Sequence, residues 1–235
     1  MTARPHRLIL ALDTSGPACA AALVAVDADG GGTVLAHRAD RIGRGHGDHL
    51  LPMLDALMEQ ADTGFDAMDR LAVVTGPGSF TGVRAALSAA RGLALPRRLP
   101  VVGLSGLALL ALSAYRAAPD ARHVLALLPG RGGDVFCQAF DPPDQQGVPR
   151  PAGAAANKPA TDCAVAANAA DLVVGQGATL LSRAPDRDMD WPDVRALAQC
   201  AMALDPATHP AEPLYVRPAD AARARAVLPI APRNG

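Results

Sequence analysis

Residues 71–95 read LAVVTGPGSFTGVRAALSAARGLAL, and this stretch decides the fold. The apolar run 71–74 predicts a buried strand, and the alanine-rich run 81–95 predicts a helix that Pro96 ends. The glycine-rich corner between them has no Lys followed by Ser or Thr, so it is not a P-loop, and it departs from the dinucleotide pattern G-x-G-x-x-G. Two interpretations remain: a strand-to-helix turn, and an anion site at the start of the helix.

The residues before this stretch predict a mixed sheet. Predominantly apolar segments at 7–12 and 19–26, and a third segment at 33–38 after a glycine-rich turn, predict three strands joined by turns. A helix follows, with its start near 49–51, Pro52 in its first turn and its end before Gly64. Its apolar stripe consists of Leu50, Leu51, Leu54, Leu57 and Met58. The order β-β-β-α-β-α predicts an α/β fold with helices on the face of the sheet.

The second half of the chain predicts fewer regular elements. Strands are expected at 101–102, 123–128, 134–140 and 172–174, and helices at 106–116 and 194–204. Residues 141–161 are rich in Pro, Ala, Gln and Gly, so we expect a loop there.

Composition limits the classes of function. Half of the residues are hydrophobic, and the net charge of −1 gives no general attraction to nucleic acid. The four cysteines have no C-x-x-C spacing, so we expect reduced thiols and a cytoplasmic protein. No apolar run reaches the ~20 residues that span a bilayer, so we expect no membrane contact.

Several polar residues are candidates for a site. Asp13-Thr14-Ser15, at the end of the first strand, is similar to the first phosphate motif of actin-like ATPases, although these residue types also close strands by local hydrogen bonds. We predict a vestigial nucleotide or anion site from Asp13, Thr14, Ser15, Gly76, Gly78, Ser79 and Thr81. His46 and His49 have the spacing of a ligand pair but lack a third ligand, so we predict no metal site. The hydrolase motifs G-x-S-x-G and H-E-x-x-H do not occur, and we predict no catalytic residue.

The helix after the corner predicts a docking surface. Its small residues let another helix approach closely, and Arg84 and Arg91 are candidates for contact with RNA or an anion. We predict a partner interface on both helices of the first half, formed by Leu50, Leu51, Leu54, Leu57, Met58, Val83, Ala86, Leu87, Ala90 and Ala94.

Four segments resemble one family in order: LILALDTSGPACAAAL (8–23), HGDHLLPMLDALM (46–58), VVTGPGSFTGVRAALSAARGLAL (73–95) and PLYVR (213–217). They are similar to TsaB, the bacterial tRNA threonylcarbamoyladenosine biosynthesis proteins formerly called glycoprotease-like. The resemblance implies an actin-like (ASKHA, RNase H-like) fold with a first domain at 1–104 and a second, reduced domain at 105–235, whose C-terminal tail returns to the first. One departure is Pro129-Gly130-Arg131, where the family usually has Asp-Ala-Arg.

The resemblance also implies a function. Family members are non-catalytic partners of TsaD, which transfers threonylcarbamoyl to N6 of adenosine 37 in tRNAs that read codons starting with A (t6A modification). They pair with TsaD, or with themselves, through the first two helices, and the ATPase TsaE joins the complex. It follows that tRNA is reached through the complex, that ATP, ADP and metal belong to the partners, and that the isolated chain needs no cofactor. The alternatives are an actin-like small-molecule kinase or ATPase, with Gly175-Gln176-Gly177 as a further nucleotide contact, and a metallopeptidase.

Overall fold

The computed structural model describes residues 6–27, 31–186 and 189–216. Their strands are β1 His6–Asp13, β2 Ala18–Asp27, β3 Gly32–Arg41, β4 Arg70–Val74, β5 Val101–Leu104, β6 Val124–Pro129, β7 Asp134–Pro143, β8 Pro149–Pro151, β9 Ala156–Pro159 and β10 Leu172–Val174. Their α-helices are α1 His46–Gln60, α2 Phe80–Ala94, α3 Gly106–Ala117, α4 Ala164–Ala169 and α5 Val194–Cys200. Short 3-10 turns occur at Phe65–Ala67, Leu95–Arg97, Ala160–Cys163 and Gln176–Leu181.

The strands form two mixed sheets. The first has the order β3-β2-β1-β4-β5, in which β1, β2 and β3 are antiparallel neighbours and β4 and β5 run parallel to β1. The second has the order β10-β6-β7-β8, and β9 also pairs with β7. The α/β prediction is therefore confirmed.

Both faces of β1, β2 and β4 are buried, which explains their continuous apolar runs, whereas the edge strand β3 is largely exposed. Leu10 and Leu12 of β1 join the core under α1 and α2 on one face. Ile9 and Ala11 point to the other face, where the core continues through α3 and α5 to the second sheet. The fold is thus layered: α1 and α2, the first sheet, α3 and α5, the second sheet, and a thin outer layer of short helical segments.

Three predictions about elements were wrong. Helix α1 begins at His46, so Pro52 lies in the second turn rather than the first, on the exposed side of the helix. Residues 141–161 do not form a loop throughout, because β8 and β9 pair there with β7. Helix α5 ends at Cys200 rather than 204, and turns continue the chain.

The segment that follows α5 returns to the first sheet. The backbone N–H of Gly103 donates to the carbonyl of His209 over 2.9 Å, and Val102 forms an antiparallel bridge with Pro210. Leu214 then donates to the carbonyl of Thr75 over 2.8 Å, at the end of β4. Residues 209–216, called here the C-terminal strap, thus run along β5 to the glycine-rich corner.

Candidate functional site

The Asp13-Thr14-Ser15 loop is buried and makes several internal hydrogen bonds. The backbone N–H of Ser15 donates to Oδ1 of Asp13 over 2.7 Å. The hydroxyl of Thr14 donates to the carbonyl of Gly82 over 2.6 Å and accepts from the N–H of Ala86 over 3.2 Å. These two backbone groups are four residues apart in α2, so the side chain that follows β1 is bonded into the first turns of that helix.

The glycine-rich corner packs directly onto the same loop. The N–H of Ser79 donates to the carbonyl of Ser15 over 2.8 Å, and its side chain caps α2 by accepting from the N–H of Gly82. A Cβ at Gly78 or Gly82 would lie closer than 3.0 Å to the backbone of Ser15 or Thr14. The glycines therefore permit a close contact between two backbones, which favours the structural interpretation of the corner.

The predicted vestigial site is only partly brought together on an accessible surface. Ser15, Gly78, Ser79 and Thr81 line a cleft, and Asp13 and Thr14 do not; Asp13, Thr14 and Ser15 are all buried. Burial raises the pKa of Asp13, against the opposing effect of its hydrogen bonds to Ser15. Gly76 is also buried, and its carbonyl accepts from the N–H of Gly106 over 2.7 Å. Binding of a nucleotide or anion by these residues stays a prediction.

The two helix-start histidines point to different surroundings. Nε2 of His49 lies 2.8 Å from Oδ2 of Asp40, while His46 is buried and its Nε2 has no hydrogen-bond partner. Within the described part of the chain, no group of three His, Cys, Asp or Glu side chains is placed to hold a metal ion. The cysteines there are unpaired and buried.

The two candidate RNA contacts hold the C-terminal strap. The guanidinium of Arg84 lies 3.8 Å from the ring centroid of Phe80, and its Nε donates to the hydroxyl of Tyr215 over 2.9 Å. The rings of Phe80 and Tyr215 stack with centroids 5.4 Å apart. Arg91 donates to the carbonyl of Ala211 over 2.6 Å. Both arginines thus fix the strap to α2, and their contact with RNA stays a prediction.

A cleft of about 640 Å³ opens between the corner, the β6–β7 turn, the segment around Trp191 and the strap. The rings of Phe80, Phe136, Trp191 and Tyr215 line it. Among its described lining residues the only charged side chain is Arg131, at the turn between β6 and β7. Sequence reasoning missed this cleft, because its walls come from four distant parts of the chain.

The predicted partner interface requires a correction. Nine of its ten residues are buried, because the apolar stripes of α1 and α2 pack onto the first sheet. These nine are Leu50, Leu54, Leu57, Met58, Val83, Ala86, Leu87, Ala90 and Ala94. Only Leu51, with 53% of its surface exposed, is available to a partner. The stripe found by periodicity is the core-facing side of each helix.

The opposite sides of the same helices are exposed. On α1 the exposed residues include Leu51, Asp55 and Glu59. On α2 they include Ser88 and Gly92, and a Cβ at Gly92 would meet nothing within 4 Å. The two helices contact each other, so these sides form one continuous surface, called here the α1–α2 face.

Comparisons with known proteins agree with this architecture. The family model described as TsaD, tRNA N6-adenosine threonylcarbamoyltransferase, matches residues 35–146. The tRNA threonylcarbamoyladenosine biosynthesis protein TsaB of Escherichia coli (strain K12) is 38% identical over 140 residues, which are 60% of this chain and 57% of that protein. The solved structure of YeaZ from Pseudomonas aeruginosa is 34% identical, covers 89% of this chain and 99% of that chain, and superimposes with a TM-score of 0.70. The chain belongs to the TsaB (YeaZ) family.

TsaB relatives match this chain over limited lengths. The aligned region spans only 57% of the Escherichia coli TsaB protein. The tRNA N6-adenosine threonylcarbamoyltransferase of Erythrobacter litoralis (strain HTCC2594) is also similar, with 31% identity over 147 residues, which are 56% of this chain and 41% of that protein. The prediction of family and of an actin-like fold is confirmed. No helix in the described residues is long and apolar enough to cross a membrane.

Proposed function

We propose that this chain is a non-catalytic accessory subunit that docks onto a TsaD homologue and supports threonylcarbamoyl transfer to N6 of adenosine 37 in tRNAs reading codons that start with A. The similarity to TsaB of Escherichia coli, which is named for threonylcarbamoyladenosine biosynthesis, supports the pathway. The transferase itself is the expected partner, because the TsaD family model matches part of this chain, so the two folds can present equivalent elements to each other as the subunits of a two-fold dimer do.

The observation that carries the non-catalytic role is the internal use of the phosphate-type motif. An actin-like kinase or ATPase needs its acidic residue and hydroxyls free to meet Mg²⁺ and phosphate. Here Asp13 is bonded to the N–H of Ser15, and Thr14 is bonded into α2. The hydroxyl of Thr14 thus holds α2 in place and one oxygen of Asp13 holds its own loop, so the kinase alternative gains no support.

The α1–α2 face is the proposed docking surface. It is continuous, lies on the outer layer of the fold, and combines an exposed Leu51 with small residues that let a partner helix approach closely. The buried stripe beneath it keeps both helices rigid, which lowers the entropy lost on docking. The partner is a TsaD homologue presenting its own first two helices, and a second copy of this chain occupies the face when that partner is absent.

The remaining partners follow from the same proposal. A TsaE homologue joins the complex, tRNA is reached through the complex, and ATP, ADP and metal are bound by the partners rather than by this chain. The proposed location is the cytoplasm, where tRNA is modified and buried thiols stay reduced.

We also propose two domains, at 1–104 and 105–235. This boundary falls between β5 and α3, where the chain leaves the first sheet. The strap and α5 then belong to the second domain by sequence while packing on the first sheet, which ties the two together.

Co-purification with a TsaD homologue from the same organism tests the docking. Ser88→Trp places a large ring on the α1–α2 face, and Leu51→Glu places a charge there. Each variant should reduce recovery of the partner at least roughly tenfold, because the centre of an interface tolerates such changes poorly. Val165→Trp is the matched control, because Val165 is 84% exposed on the outer layer of the second sheet. Wild-type recovery with both face variants would remove this face from the interface. Leu54→Glu is unsuitable because it buries a charge in the core.

A further inference from the structure

Two of the four cysteines meet in the core between the second sheet and the outer layer. Cys137 lies on β7, Cys163 is the last residue of the 3-10 turn at 160–163, and both are buried in the same apolar cluster. Cys19 and Cys200 belong to two other clusters, so neither is a neighbour of this pair. The thiols of Cys137 and Cys163 are hydrogen-bonded to each other and form no disulfide.

The local fold brings this pair together. Strand β9 runs antiparallel to β7, and its last residue, Pro159, stands opposite Asp134. The 3-10 turn that follows β9 contacts both strands, so the chain turns back over the outer face of the second sheet. Cys137 points to that face, as Val135 does, because alternate residues of a strand share a face. Two cysteines that are distant in sequence therefore face each other across the boundary between two layers.

The part of the outer layer that covers this pair is held by few side chains. Within residues 160–170, which contain the 3-10 turn and α4, only Ala160, Cys163 and Ala167 are buried. All three are small, so docking of this segment removes little apolar surface from water. A segment with so few buried contacts opens locally at a low cost in free energy. Such an opening exposes both thiols while the two sheets stay folded.

In the closed state the two thiols react slowly. Burial, together with the shared hydrogen bond, raises the pKa of the Cys163 thiol, and only the thiolate attacks a disulfide. Oxidation therefore requires the opening. The pair should respond to oxidising conditions that persist and not to brief ones.

We propose that Cys137 and Cys163 form a reversible internal disulfide, with a low-molecular-weight disulfide such as glutathione disulfide as the oxidant. In the open state the Cys163 thiol gives its proton to water, and the thiolate attacks one sulfur of the oxidant, from which a glutathione thiolate leaves. The Cys137 thiolate then attacks the Cys163 sulfur of the mixed disulfide and displaces the second glutathione. The two protein thiols thus lose two protons and two electrons, and one glutathione disulfide becomes two glutathione thiols.

The new bond ties the outer layer to β7. The pair stays reduced while reduced glutathione predominates, and the disulfide closes when glutathione disulfide accumulates. This proposal does not depend on the proposed function, because the α1–α2 face belongs to the opposite outer layer of the fold. The oxidised protein should therefore still recover the TsaD homologue.

Peptide mapping by mass spectrometry tests the disulfide on the full chain. The reduced protein is equilibrated with excess glutathione disulfide, unfolded and treated with iodoacetamide. Cys19 and Cys200 should be alkylated, and Cys137 and Cys163 should appear in one cross-linked peptide that dithiothreitol separates. About 1 M urea, below the unfolding transition, should accelerate the oxidation roughly twofold, since it favours the open state. Amide hydrogen exchange of residues 161–169 should slow at least roughly fivefold after oxidation.

Two alanine variants separate this pair from the other thiols. Cys163→Ala should leave Cys137 alkylated, whereas Cys200→Ala, the matched loss of another buried thiol, should still form the disulfide. Circular dichroism checks the fold of each. The proposal is overturned if Cys137 and Cys163 of the wild type are still alkylated after equilibration, if glutathione stays attached to either, or if Cys163→Ala forms the same amount of internal disulfide. Loss of the native spectrum on oxidation, or unchanged hydrogen exchange at 161–169, would equally overturn it.

Discussion

Two glycines of α2 should respond in opposite directions to the same substitution. Gly82 and Gly92 both lie within the helix, where replacing Gly by Ala stabilises a protein by about 1 kcal/mol when there is room for the methyl group. Gly92 has that room, since a Cβ there would meet nothing within 4 Å. Gly82 does not, because the Cβ would lie closer than 3.0 Å to the carbonyl oxygen of Thr14, which belongs to the backbone and cannot rotate away.

The size of the difference follows from the contacts around Thr14. Gly82→Ala has to separate α2 from the end of β1, which costs about 1–3 kcal/mol for overpacking. The separation also weakens the 2.6 Å hydrogen bond from the hydroxyl of Thr14 to the carbonyl of Gly82, a loss of about 1 kcal/mol. After the helix-propensity gain, we expect Gly82→Ala to lower the free energy of unfolding by roughly 2 kcal/mol. Gly92→Ala should raise it by roughly 0.5–1 kcal/mol.

Urea denaturation followed by circular dichroism measures both values under identical conditions. With an m-value of about 2–3 kcal/mol per molar, the midpoint of Gly82→Ala should fall by roughly 0.7–1 M urea, while that of Gly92→Ala rises slightly. Unchanged m-values would show that the denatured state is the same. Equal stabilisation by both substitutions would refute the close contact between the Asp13-Thr14-Ser15 loop and α2.

Two further predictions concern the buried side chains. Burial raises the pKa of Asp13 above its ordinary 3.8. Between 3.8 and that raised pKa the native state retains a proton that the unfolded chain releases. The free energy of unfolding should therefore fall as the pH rises through this window. Asp13→Asn removes the titrating carboxyl but keeps an oxygen that accepts from the N–H of Ser15. In this variant the urea midpoint, measured from about pH 4 to pH 8, should no longer decrease as the pH rises. A pH profile identical to that of the wild type would contradict the assignment of this decrease to Asp13. Leu54→Ala should cost about 2–5 kcal/mol because Leu54 is fully buried, whereas Leu51→Ala should cost less than about 0.5 kcal/mol. Similar losses in thermal denaturation would contradict the assignment of Leu54 to the core and Leu51 to the surface.

The sequence predicts the first sheet well because its strands and helices are defined by local patterns. The run 8–12 is apolar throughout, and the structure buries both faces of β1 there, with Leu10 and Ile9 on opposite sides. The end of α5 was harder to predict, since an alanine-rich segment continues beyond Cys200 and no helix-breaking residue occurs before Pro206. Periodicity finds elements and gives their ends less accurately.

The same periodicity misassigned the docking residues. An apolar stripe on a helix marks the side that is removed from water, and in a folded chain its first partner is the chain's own sheet. Leu54 and Ala86 therefore belong to the core, and the α1–α2 face has no pattern of its own because exposed residues such as Ser88 and Gly92 vary freely. The strap was equally invisible, since Arg84 and Tyr215 are far apart in sequence and meet only through the fold.

Reconstituted t6A formation tests the central claim most directly. A TsaD homologue and its usual partners would be supplied with a tRNA that reads codons starting with A, and t6A would be measured by mass spectrometry of nucleosides. The proposed function predicts that the wild type and Val165→Trp support t6A formation. Ser88→Trp should support at least roughly tenfold less t6A formation at equal concentration. Without the TsaD homologue, this chain should form no t6A. Full t6A formation with a stably folded Ser88→Trp protein, or without this chain, would contradict it.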